Sequence, residues 1–109
     1  MLLIRASDLP GEALAAAAAF HVRVLPQVLA ALVGEADCLT LVFPTADHSH
    51  RAWRLAAVQG LAREHALLRV NGVESADEAA ISAAQAYLAT APGVTGQYLP
   101  LDAAGATGA

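Results

Sequence analysis

The chain contains no lysine. Its six cationic side chains are all arginines, and against ten carboxylates they leave a formal net charge of -4. That balance offers no basic patch for a phosphate backbone, so nucleic acid is not an expected partner. Cysteine is nearly absent as well. Cys38 stands alone in an apolar run, which excludes an internal disulfide and points to a buried, reduced thiol and a cytoplasmic setting. No G-x-G-x-x-G occurs, so the chain lacks the strand-to-helix turn that holds a dinucleotide's pyrophosphate. Long uninterrupted hydrophobic runs are missing too: Glu12, His21, Arg23 and Pro26 break the apolar N-terminal segment into pieces shorter than the ~20 residues of a membrane span. Only Arg5 precedes that segment, and Asp8 and Glu12 offset it, which is unlike a signal peptide. No membrane association is expected.

What is present reads as one domain over 1–102 with a frayed tail over 103–109. A chain of 109 residues buries roughly two-thirds of its unfolded surface, enough to fold without a metal or a staple. Met1 to Ala6 opens with an apolar run suited to a strand covered on both faces. Asp8 is a candidate cap, with Pro10 in the first turn, for a helix reaching Val33 before Gly34. Its apolar face is expected to hold Leu14, Ala17, Ala18, His21, Leu25, Val28, Leu29 and Leu32, with Pro26 as a kink.

Cys38 to Phe43, apolar at alternate and intervening positions alike, is the expected central strand. A helix over His50 to Ala66, a strand over Leu67 to Val73, a helix from the Ser75–Glu78 capping box to Ala91 and an edge strand over Thr95 to Asp102 complete the order. Four strands alternating with three helices predict an α/β domain with a parallel sheet in the order β-α-β-α-β-α-β. An all-helical arrangement, in which the short end strands fail, is the alternative.

The C-terminal run Arg69-Val70-Asn71, a capped helix, then Thr95-Gly96-Gln97-Tyr98-Leu99-Pro100-Leu101-Asp102 resembles the C-terminal part of the short-chain dehydrogenase/reductase family. The resemblance covers most of the chain but only the second half of that family's fold. It implies a half-Rossmann-like, truncated domain. Phe20-His21-Val22-Arg23-Val24-Leu25-Pro26 is similar to the helix carrying the family's active-site asparagine, with Arg23 in its place. Leu55-Ala56-Ala57-Val58-Gln59-Gly60-Leu61 is similar to the helix after the catalytic lysine, which sets Leu55 against the lysine and Arg51 against the tyrosine. In the family that pair moves the proton during hydride transfer, a task that leucine and arginine cannot perform. Thr45 is the only hydroxyl near the place of the catalytic serine. No catalytic residue, no cofactor and no metal are therefore expected.

Two function classes remain. The first is a non-catalytic domain that acts through self-association or by joining a complete family member. The resemblance places subunit contacts on the helix from His50 to Ala66, where Trp53, Ala56, Ala57 and Gly60 form the candidate interface, and also on the last helix and strand. A sheet with its three helices all on one side would leave the other face bare, whereas a left-handed last crossover, as in the family, would move one helix across. The second class is a small-molecule binder or enzyme with a site at the C-terminal ends of the strands, gathering Asp47, His48, His50 and Glu74. Two imidazoles and a carboxylate can hold zinc, but a fourth ligand at recognisable spacing is missing, and a capped, solvated turn is the simpler reading. Trp53 is expected to anchor a core or an interface rather than to stack on a ligand.

Overall fold

The computed structural model describes residues 2–34 and 36–101. Strand β1 (Leu2–Arg5) leads through a loop into helix α1 (Ala13–Ala31), followed by β2 (Cys38–Phe43), α2 (Arg51–Glu64), β3 (Arg69–Glu74), α3 (Glu78–Ala89) and β4 (Tyr98–Pro100). All neighbouring strands pair in parallel, in the order β1-β2-β3-β4. The expected α/β fold, a four-stranded parallel sheet with three helices, is the one observed. Asp102 and the tail lie outside the described residues.

Strand β2 is central, and all six of its residues are buried, as its unbroken apolarity requires. Leu39, Leu41 and Phe43 point to one face, where they join Val70 of β3 and the buried Phe20, Val24, Val28, Val58 and Leu61 of α1 and α2. Val42 points to the other face and meets Val73, Ile81, Ala84 and Leu88. Helices α1 and α2 therefore share one face while α3 covers the other. Strand order rises steadily while the third helix changes side, so the last crossover has the opposite hand to the first two. Right-handed crossovers are the rule, and at least one of these three departs from it. Of the two arrangements considered from the sequence, the one with a bare sheet face does not occur; the last helix lies across the sheet and covers that face, as a last crossover of opposite hand requires. Exposed apolar side chains sit instead on helices and turns, at Leu14, Val22, Leu29, Val33, Leu67 and Tyr87.

Several local readings also change. Asp8 does not cap α1; it adopts φ 58°, a left-handed conformation that aspartate tolerates in a turn, and the helix starts later, after Glu12. The face of α1 that packs on the sheet runs through Ala16, Phe20, Val24 and Val28, a strict spacing of four, whereas Leu14 is 80% exposed and His21 faces outward. A run this rich in alanine presents two apolar faces, and its periodicity alone does not choose between them.

A wide π turn over Phe20–Val24 sets the spacing, with the Leu25 N–H reaching back to the Phe20 carbonyl. It lies just before Pro26, which has no N–H to donate, and the Gln27 side chain donates to the Arg23 carbonyl one turn back. The irregular turn thus absorbs the expected kink. At 19 residues and mean hydropathy 1.5, α1 is by length and composition alone long and apolar enough to cross a bilayer, although His21, Arg23 and Pro26 interrupt its apolar runs. Its Phe20, Val24 and Val28 are committed to the sheet.

The capping box at Ser75–Glu78 does not form. Ser75 Oγ accepts from the Asp77 N–H, and Asp77 itself caps α3 by accepting from the Ala79 N–H. Glu78 instead pairs with Arg5 across the surface at 2.7 Å. Strand β4 is short and lies at the sheet edge, where Pro100 costs no ladder bond.

Candidate functional site

The C-terminal ends of β1, β2 and β3 open onto the loops that lead into α1, α2 and α3. After β2 the chain passes through Pro44–Ala46 into a single 3₁₀ turn, His48–His50, which flows into α2. Asp47 starts that turn: its Oδ1 accepts from the Ser49 N–H at 2.9 Å and also from the Ser49 hydroxyl. These two bonds, the hydroxyl's first, hold its carboxyl below the usual carboxylate range. Asp47 is a cap on the surface, and His48 beside it is exposed.

His50 is different. It is buried, its Nε2 donates to the Gly11 carbonyl at 2.8 Å, and its Nδ1 accepts from Trp53 Nε1 at 3.2 Å. Because a carbonyl can only accept and an indole N–H can only donate, both ring nitrogens are spent and the tautomer is defined. His50 therefore joins the β1–α1 loop to α2 and has no free nitrogen for a metal. Among the described residues, no group of three His, Cys, Asp or Glu side chains could hold a metal ion.

Glu74, at the end of β3, accepts from the Ala46 N–H at 3.4 Å through Oε2, while its Oε1 faces Arg54 and Tyr98. The Tyr98 hydroxyl donates to Glu74 Oε1, and Arg54 Nη1 lies 3.3 Å from the same oxygen. Burial, and then the bond to Glu74, push the Tyr98 hydroxyl up to about 12. A tyrosine so held stays protonated near neutral pH. The four rim residues named from sequence are thus split, with Asp47 and His48 on the surface, His50 in a structural bridge and Glu74 in a part-buried ion pair with Arg54.

Arg54 is the residue that sequence reasoning missed. It is 2% exposed, its guanidinium lies 5.0 Å from the Phe43 ring centroid, and Nη1 donates to the Pro44 carbonyl at 2.9 Å and to the Tyr98 oxygen at 3.0 Å. The signal was available: Arg54, Val58 and Leu61 share one helix face, and an arginine on an otherwise apolar stripe needs partners. A cavity of about 260 Å³ lies between the β1–α1 and β2–α2 loops, with Leu9, Gly11, Ala16, Pro44, His50 and Arg54 among its walls.

On the candidate interface, Trp53 packs against Phe20 and Phe43 and belongs to the core, one of the two roles expected of it. Ala56 is exposed, and a shallow groove of about 180 Å³ runs between α1 and α2 past Ala56, Ala57 and Gly60. Arg51 is exposed and Leu55 half-buried on α2. Arg69 and Asn71 use their polarity within the fold: Arg69 Nη1 donates to the Leu88 and Ala91 carbonyls at the end of α3, and Asn71 ties down the loop before β4 through Val94 and Gln97.

No match is found among curated proteins or among solved structures. The family model described as short chain dehydrogenase-like protein matches residues 4–101, nearly all of the sheet and helices described above, and the chain belongs to that family.

Proposed function

We propose that this chain is a non-catalytic member of its family that works in the cytoplasm by association, as a homodimer in the first instance. The carrying observation is the outer surface of α1 and α2. Leu14, Val22, Leu29 and Val33 are 80%, 74%, 44% and 89% exposed along and just past α1, beside the small-residue groove at Ala56, Ala57 and Gly60. Apolar side chains exposed in succession on one helix are unusual for an isolated domain and favour burial against another chain, at roughly 25 cal/mol per Å². A complete short-chain dehydrogenase-type protein could occupy the same surface. The non-catalytic part rests on Arg51 and Leu55 at the places of tyrosine and lysine, and on a Tyr98 hydroxyl committed to Glu74.

Light scattering over a dilution series tests the reading. A Cβ at Gly60 would meet nothing within 4 Å, so Gly60→Glu leaves the fold intact while placing a charge in the groove. The expected result is a dimer mass that Gly60→Glu shifts toward monomer. A folded monomer at every concentration would overturn the proposal.

A further inference from the structure

We propose that the cavity between the β1–α1 and β2–α2 loops binds a short-chain monocarboxylate, with the carboxylate taken by the free edge of the Arg54 guanidinium. Three observations meet at this place. Arg54 is 2% exposed and forms part of the cavity wall. All of its hydrogen bonds leave from Nη1, to Pro44, Glu74 and Tyr98. Nε, buried with them, has no partner among the described residues. A buried donor without an acceptor is costly, and an arginine's Nε edge presents two parallel N–H groups whose spacing matches the two oxygens of a carboxylate.

The rest of the wall narrows the class of ligand. Leu9, Pro10, Ala16 and Pro44 are apolar and suit a short aliphatic tail. At about 260 Å³ the space falls just under the ~300–1,000 Å³ of sites for drug-sized ligands, so the tail is short. Charge favours a monoanion. Glu74 already offsets Arg54 at 3.3 Å, and Asp47 also lines the cavity, so a dianion such as phosphate meets two carboxylates while a single carboxylate faces one vacant N–H edge. His50 does not compete for the ligand, since both of its nitrogens are engaged.

The test is titration of the full chain with sodium butyrate at constant ionic strength, followed by proton–nitrogen NMR at the Arg54 Nε–H. n-Butanol and inorganic phosphate serve as comparison probes. The expected result is a saturable shift of the Arg54 Nε–H, with backbone shifts at Gly11 and Thr45, produced by butyrate and not by butanol. Arg54→Gln, checked for folding by circular dichroism, should weaken butyrate at least roughly tenfold, the worth of a hydrogen bond to a charged group. If Arg54→Gln does not fold, Ala46→Leu, at an exposed position on the same cavity wall, narrows the cavity and should weaken butyrate without touching the guanidinium. Absence of a saturable shift with butyrate overturns the proposal and leaves Arg54 as a clamp on Phe43 and Trp53 alone. Equal binding of butanol, or tighter binding of phosphate, overturns the monocarboxylate assignment.

Discussion

Gly72 sits in the middle of β3, facing α2, and its replacement by alanine tests how tightly that face is packed. A Cβ there would lie 2.9 Å from Val58 Cγ2, 3.1 Å from Phe43 Cε2 and 3.4 Å from Tyr98 Cδ1. Unstrained carbon contacts fall at roughly 3.5–4.0 Å, so two neighbours must yield. Neither can do so cheaply. Val58 is fully buried and stiff at χ1 as a β-branched residue, and the fully buried Phe43 ring is enclosed by Phe20, Trp53 and Tyr98 at centroid distances of 5.9, 5.8 and 5.8 Å.

Overpacking of this kind costs about 1–3 kcal/mol, whereas an unstrained Gly→Ala change gains about 0.4–1 kcal/mol through the unfolded chain. The net expectation is a loss of roughly 1–2 kcal/mol. For a domain near this size each kcal/mol moves Tm by about 4–8 °C, so Tm should fall by roughly 5–15 °C. Urea unfolding at fixed protein concentration measures the change, and an unaltered slope would confirm that it lies in the folded state. Val58→Ala in the same chain removes the nearest obstructing methyl, so the double variant should lose less than the two single losses together. A Gly72→Ala protein as stable as the parent, or more stable, would refute this account of the packing.

Other outcomes follow from the same geometry. Tyr98 holds its proton to about pH 12 in the folded chain and to about pH 10 in the unfolded one, so its contribution to stability is fully present below pH 10 and is lost as pH rises toward 12. Urea midpoints across that window should show the decline, and Tyr98→Phe should abolish this part of it. Arg54→Met leaves the part-buried Glu74 carboxylate without its cation and should cost about 1.5–3 kcal/mol in urea unfolding, while Arg54→Met combined with Glu74→Gln should recover a substantial part. NADH and NADPH should give no saturable heat in calorimetric titration, since the chain contains neither a G-x-G-x-x-G turn nor a lysine; micromolar binding at one site per chain would contradict this.

The order of elements was legible in the sequence because each relevant signal is local. Cys38 to Phe43 is apolar at every position except Thr40, and such a run has nowhere to go but a strand covered on both faces. Gly34 and Pro44 interrupt the chain through their own backbone limits, and the family likeness rests on short ordered motifs such as Thr95-Gly96-Gln97. Which face of α1 packs inward was not legible, because alanine is compatible with either side; the π turn before Pro26 and the fit of Phe20 against Phe43 decide it. The Ser75–Glu78 box reads as a reciprocal cap, but Arg5, 73 residues away in sequence, draws Glu78 off. The rim divides for the same reason. Asp47, His48, His50 and Glu74 lie near one another along the strand ends, yet Gly11 and Trp53 engage His50, and Arg54 and Tyr98 engage Glu74. Partners 39 and 44 residues apart meet only when the loops and β4 come together, so residue chemistry was set by the sequence while the pairing of those residues, and with it the open edge of Arg54, was decided by the tertiary structure.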